Sequence, residues 1–259
     1  MTTYQRRQKL FDLIRNQPGL RVPELATQLK VSEGTIRNDL NALTIAGQVM
    51  RVRGGAVIVD SPSPSSPAFA TRAGSYSESK DIIARFASQQ IKDGESILLD
   101  ASTTVYAMAR YLQDRRGLRV VTNGIEVARL LAVNLSNLVI LLGGVLRPDG
   151  ASITGLLSER LLRDLHIDTA FVSCSGFTLL AGLTEVDIHE AQLKEIAIRS
   201  AQNVIALIDS SKFGRVDLTP FARLNQVAHL FTDANLSQEW QNNLAQAGLS
   251  FTLCFPDQR

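Results

Sequence analysis

The chain has 259 residues, 45% of them hydrophobic and 20% charged, with a formal net charge of +2. That length divides into a small module and a domain of ordinary size, and the apolar content supports packed cores, which excludes global disorder. No run approaches the roughly 18 apolar residues of a membrane helix, and the polar start, Met1 to Arg7, has no signal-peptide core.

Cys174 and Cys254 stand in apolar stretches, as buried thiols do, and His166, His189 and His229 are too scattered for a metal site. The expectation is a cytoplasmic protein with no metal, no cofactor and no membrane contact. Charge is uneven: residues 1–59 hold nine Lys or Arg against four Asp or Glu, and residues 60–259 hold 18 against 21. Only the first segment is therefore expected to face a polyanion.

Leu10, Leu13 and Ile14 recur at helical spacing within residues 5–16, and Pro18 with Gly19 ends that helix. A second helix is predicted over 23–29, where Pro23 suits the opening turn and Leu25, Ala26 and Leu29 share a face. A third begins at the N-cap Ser32, turns Ile36, Leu40 and Leu43 inward, and closes at Gly47. A two-stranded wing follows: 49–52, the turn Arg53-Gly54-Gly55, and 56–59. Residues 60–70 contain four serines and three prolines, the composition of a linker. The division expected is a winged helix-turn-helix over 1–59, a linker over 60–74 and a larger domain over 75–259.

Beyond the linker, apolar segments at 96–99, 118–122, 138–142, 169–173, 204–209 and 229–232 alternate with helical patterns at 105–112, 125–132, 156–165 and 190–200. That order predicts an open, mainly parallel α/β sheet covered by helices, with 251–255 as a last strand of undetermined direction. The whole is a multidomain α/β chain.

Within 25–43, the tight connection Leu29-Lys30-Val31 joins a short helix to a longer one whose outer edge suits the major groove. Thr35 and Asn38 are the first choices for base contact, Arg37 is divided between base and phosphate, and Asn41 and Ser32 complete the face. Arg51 and Arg53 on the wing suit phosphate or an adjacent minor groove.

In the larger domain, polar turns follow successive strands, where an open sheet places its ligand crevice. Ser102, Thr103 and Thr104 offer hydroxyls and amides to a phosphate, while Asp100 suits a sugar hydroxyl or loop organisation. Thr122, Asn123, Gly143 and Gly144 repeat the arrangement, and Ser175, Gly176, Glu185 and Lys212 extend it, Lys212 as counter-charge. Lys194, between Glu190 and Glu195 on a charged helix, reads as a solvated surface residue.

Residues 6–57 resemble the N-terminal domain of the DeoR family of bacterial transcription regulators, through the run from Val31 to Leu40, then Leu43, Gly47 and Arg53-Gly54-Gly55-Ala56. The chain departs from the usual pattern at Asn38, where a second arginine is common, and at Arg53, where a histidine is common. Residues 75 to about 235 resemble the family's sensor domain through Asp100 to Thr104, Thr122-Asn123, Gly143-Gly144, Gly155, Gly176, Gly182, Glu185 and Asp209 to Phe213. The resemblance implies a fold related to ribose-phosphate isomerases and sugar-phosphate deaminases. It also implies a repressor of a carbohydrate catabolic operon, not an enzyme, with a phosphorylated sugar or polyol as effector and double-stranded operator DNA as partner. Paired half-sites further call for a homo-oligomer, a dimer or a tetramer.

Two other functions fit the same residues. Glu185, Asp100 and Lys212 could serve an isomerase-like enzyme, and the larger domain could serve assembly alone, with ligand-independent DNA binding.

Overall fold

A computed structural model of the chain describes residues 3–16, 20–45, 49–52, 55–58 and 67–256, and it divides into two units, residues 1–63 and 64–259.

The small unit contains α1 (Thr3–Asn16), α2 (Val22–Leu29), α3 (Glu33–Ile45) and the antiparallel pair β1 (Val49–Val52) and β2 (Gly55–Ile58). Leu10, Leu25, Ile36 and Leu40 are fully buried in one cluster with Ile14, Val22, Leu43 and Val49. Each such side chain contributes roughly 1.5–3 kcal/mol on leaving water. The α2–α3 connection turns through Lys30, whose φ is +54°, while the Val31 amide donates back to Ala26 O. The Ser32 hydroxyl accepts from the Thr35 amide at 3.1 Å and so caps α3. The expected closures at Pro18-Gly19 and Gly47 and the wing turn Arg53-Gly54 lie outside the described residues.

The large unit begins with α4 (Pro67–Gly74) and α5 (Ser77–Ser88). The expected linker is therefore too long at its C-terminal end. Proline fits a first helical turn as well as it fits a linker, and Phe69 is buried edge-on to Tyr106 with ring centroids 5.4 Å apart. The chain then alternates through β3 (Ser96–Leu99), α6 (Thr103–Ala109), β4 (Arg119–Thr122), α7 (Ile125–Leu131) and β5 (Leu138–Leu141). A small antiparallel pair, β6 (Val145–Leu146) and β7 (Ile153–Thr154), leads into α8 (Leu156–Arg163) and β8 (Ile167–Val172). Next come β9 (Gly176–Thr178), β10 (Gly182–Glu185), α9 (Ile188–Ser200), β11 (Ala201–Leu207) and β12 (Thr219–Ala222). The described chain ends through β13 (His229–Asp233), α10 (Gln238–Gln246) and β14 (Phe251–Cys254).

Seven strands form the main sheet in the order β14-β13-β11-β8-β3-β4-β5, with every neighbouring pair parallel, β14 included. Side chains alternate across it. Ile97, Leu99, Val120, Phe171 and Leu207 pack with α5, α6 and α7 residues on one face, and Leu98, Val121 and Ala170 pack with Leu162, Leu193 and Ala197 of α8 and α9 on the other. Strands β12, β10 and β9 make a separate antiparallel sheet. These strands, like β6 and β7, are too short to carry a clear alternation in sequence. Both cysteines are buried thiols. Among the described residues no helix is long and apolar enough to cross a membrane.

Strand order reverses between β3, which leads on to β4 and β5, and β8, which begins the other half. That junction is the topological switch point, where open parallel sheets leave a crevice beyond their C-terminal strand ends.

Candidate functional site

Each unit presents one candidate surface. In the small unit, Ile36, Leu40 and Leu43 fix one side of α3 in the core, which leaves Ser32, Arg37, Asn38 and Asn41 exposed and Thr35 half-buried. Arg37 pairs with Glu33 one turn earlier at 2.8 Å, a contact exposed enough to exchange for a phosphate. Arg51 lies on β1 opposite Ala56, and Arg53 lies outside the described residues.

Asp39 escaped the sequence reading. It stands in the apolar period of α3 and is 1% exposed. Arg6 of α1 reaches it at 2.5 Å and Arg7 at 3.0 Å. Burial alone would raise its carboxyl pKa, but the hydrogen bonds and charges of the two arginines outweigh that and hold it below the ordinary value. The pair fixes α3 against α1, so it sets the angle at which the exposed edge is presented.

In the large unit, a cleft of about 170 Å³ lies at the β3–β8 switch point. Its walls include Ser102, Thr103 and Thr104 beyond β3, Ser173 and Ser175 beyond β8, Glu185 at the end of β10, and Lys212. At its floor, the Lys194 ammonium is 3.0 Å from Asp100 Oδ2 and 2.6 Å from Glu185 Oε1, and donates to Ser173 O at 2.7 Å. The reading of Lys194 as solvated is thus incorrect: it shares the buried stripe of α9 with Ala191, Ala197 and Ile198, and its partners come from distant strands. Burial opposes its charge, but Asp100, Glu185 and Glu190 outweigh burial and raise its pKa.

Asp100 organises the loop. It is 2% exposed, accepts from the Ser102 amide at 2.9 Å through Oδ1, and accepts from the Ser173 amide at 2.8 Å through Oδ2. Glu185 is held on both oxygens, by Lys194 and by the Ser175 hydroxyl at 2.7 Å.

The structure thus gathers Ser102, Thr103, Thr104, Ser175, Glu185 and Lys212 around one cleft and places other expected residues away from its walls. The Thr122 hydroxyl accepts from the Gly124 amide, and the Asn123 side chain donates to Ile153 O. Gly143 O accepts from the Ser158 hydroxyl at 2.6 Å. Gly144 has φ +153°, and a Cβ there would sit 2.4 Å from Thr154 O. A Cβ on Gly176 would sit 2.6 Å from Arg215 O. These polar turns follow their strands, and their groups bond within the turn at Thr122 or pack against another segment at Asn123, Gly143, Gly144 and Gly176.

Residues that sequence reasoning missed complete the cleft: Arg72, Ser75, Tyr76 and Lys80, from α4, the turn after it and α5, together with Glu190. Lys80 is 6% exposed and donates to Arg72 O at 2.5 Å and Ser75 O at 2.7 Å, which secures the end of α4. Burial lowers its pKa, Lys212 and Arg72 lower it further, and Asp209 opposes them. Its signal was present, since Lys80 is in register with buried Ile83, Ala84 and Ala87. Arg72 gave none.

The comparisons with known proteins match both domains. Residues 6–62 match the DeoR-like helix-turn-helix domain, and residues 75–234 match the DeoR C terminal sensor domain. The HTH-type transcriptional regulator GolR of Listeria innocua is 33% identical over 96% of this chain and 98% of its own length. The glycerol-3-phosphate regulon repressor of Escherichia coli is 32% identical over 90% of this chain and 92% of its own, and the HTH-type transcriptional repressor GlcR of Bacillus subtilis 30% over 96% and 95%. A ribose 5-phosphate isomerase from Methanocaldococcus jannaschii covers 54% of this chain and 55% of its own at 19% identity and TM-score 0.40, too remote to bear on function. With both domain models matched in order and relatives aligned along nearly their full length, the chain belongs to the DeoR family of helix-turn-helix transcriptional regulators.

Proposed function

We propose that the chain is a repressor of carbohydrate catabolic genes, whose α3 edge reads operator DNA and whose cleft binds a phosphorylated sugar or polyol that weakens that grip. The observation that carries the effector reading is the polarity of the cleft. Arg72, Lys80 and Lys212 supply cations for a phosphate, Ser102, Thr103 and Thr104 supply hydroxyls, and Glu185 and Glu190 supply acceptors for sugar hydroxyls. The volume is below the roughly 300–1,000 Å³ of drug-sized sites, which suits a small metabolite. The names of relatives support the class, one of them a glycerol-3-phosphate regulon repressor.

Both oxygens of Glu185 are engaged, which favours holding a ligand over abstracting its proton. Binding is regulatory only if it favours one arrangement over another. Arg72 lies on α4, the first helix of the large unit, and pairs with Asp149 at 3.1 Å, a contact for which a bound anion competes. A cytoplasmic setting and a homo-oligomer that reads two half-sites follow from the same proposal.

Calorimetry against phosphorylated pentoses, hexoses and polyols, paired with operator-binding assays, tests it. One compound should bind in the micromolar range or tighter and lower operator affinity at least tenfold, with Ser102→Ala and Lys212→Ala impairing the effector step alone. If every such compound fails to bind, or operator affinity is the same at saturation, the reading is wrong.

A further inference from the structure

Among the described residues, no further strand pairs with the β5 edge of the main sheet. Strand β5 pairs with β4 and is the terminal strand of its sheet. Natural edge strands are usually guarded by Lys, Pro, a bulge or a covering element, because their free amides and carbonyls invite pairing. Here the side-chain guards are missing: residues 130–146 contain no Asp, Glu, Lys, Arg or Pro.

The apolar surface continues from that edge onto the next elements. The Ser158 hydroxyl donates to Gly143 O, which seats the first turn of α8 just beyond β5. Val145 Cγ2 lies 3.7 Å from the position of a Cβ on Gly155, directly before α8. Helix α8 buries Ser158 and Leu162 on its inner side, yet leaves Leu156, Leu157 and Leu161 outward. Together with Leu138, Leu141, Val145 and Leu146, these side chains are 39–69% exposed. Their exposed surface is on the order of 700 Å², above the roughly 300–600 Å² of the largest apolar patch on most monomers and close to the ~800 Å² each partner buries in a standard interface.

We infer that this β5, β6 and α8 surface is the contact between two copies of this chain, related by a two-fold axis. A second copy is the fitting occupant for three reasons. The uncharged run has nothing to offer a polyanion or a charged protein. An open edge and an apolar helix stripe are self-complementary, as an isologous contact requires. The exposed Arg160 and Arg163, on the turns of α8 beside the stripe, supply the polar rim common to such interfaces. The inference stands on this surface and is independent of the effector's identity.

The test is sedimentation velocity on the full chain, as wild type and as Leu157→Glu/Leu161→Glu. Both substituted side chains are already solvent-facing, so the fold survives, and circular dichroism and the melting temperature check that it does. The wild type is expected at a multiple of 28.3 kDa, with the double variant at half that mass or less. A control, Val216→Glu/Leu218→Glu, charges a second exposed apolar loop and should leave the mass unchanged. A monomeric wild type, an unaltered mass in the α8 variant, or dissociation by the control alone would overturn the assignment. As a second readout, Leu157→Cys should link to its copy with a short bis-maleimide within minutes at micromolar protein, and absence of the linked dimer counts against it.

Discussion

Each unit buries a carboxylate against basic side chains, and the two arrangements serve different ends. In the small unit, Asp39 is closed on by Arg6 and Arg7 from the neighbouring helix, and the functional side chains lie outside that contact on the exposed edge of α3. In the large unit, Lys194 joins Asp100 and Glu185 at the floor of the cleft, and Lys194 and Glu185 belong both to the buried cluster and to the cleft lining. Exposed α3 side chains in the first unit can therefore be changed without touching the buried pair, whereas in the second unit Glu185 belongs to the cleft and to the buried cluster at once.

The largest effect should come from removing Lys194. Lys194→Met leaves two carboxylates buried without their shared cation, which costs about 3–5 kcal/mol. Urea denaturation of the variant should show that loss together with a loss of effector binding. A variant as stable as wild type would mean that the cluster is not coupled to the fold.

Asp39→Ala should cost about 1–3 kcal/mol by leaving two arginines without their acceptor, and should weaken operator binding on every sequence alike, since it alters how α3 is held. The pH dependence follows from the lowered pKa of Asp39. Its stabilisation is complete above the ordinary aspartate range and is lost as pH falls through the lower folded value. Acid melting of the wild type, compared with Asp39→Asn, should show the difference vanish at the acid end.

By contrast, Asn38→Ala and Thr35→Ala should change stability by less than about 0.5 kcal/mol and shift preference among operator variants by about 1–3 kcal/mol. Competition binding against single-base substitutions checks this. Unchanged preference in both would move the reading face elsewhere.

The smallest effect concerns Lys80, whose pKa lies below the ordinary lysine value of 10.5. The folded state gives up this proton more readily than the unfolded chain, so stability of the ligand-free protein should rise slightly as pH climbs through that window. A bound anion favours the charged form, so effector affinity should fall over the same window. Calorimetry across the alkaline range detects this, and Lys80→Met should flatten the profile.

The local signals of the small unit were legible because each acts over a few residues: the Ser32 cap, the Leu29-Lys30-Val31 turn, and the spacing of Ile36, Leu40 and Leu43. The strands of the large unit were legible for a related reason, since sheets covered on both faces need continuous apolar runs. The polar turns follow their strands, and several of their groups bond or pack against a neighbouring loop instead of lining the cleft. Whether Asn123 or Gly144 meets a ligand or another loop depends on what lies opposite, and that is set by residues such as Ile153 and Thr154 far along the chain.

Three ionisable residues, Asp39, Lys80 and Lys194, stand in the apolar period of their helices, a pattern the sequence displays openly. What it does not display is the partner that makes burial of each charge tolerable. Arg6 and Arg7, the carbonyls of Arg72 and Ser75, and the carboxylates of Asp100 and Glu185 reach those positions only when whole helices pack. By itself, then, the sequence determined the helix-turn-helix, the alternation of strand and helix, and the family. The tertiary structure decided which charges are buried and which turns face the cleft, because pairing a charge away from water takes groups brought together by long-range packing.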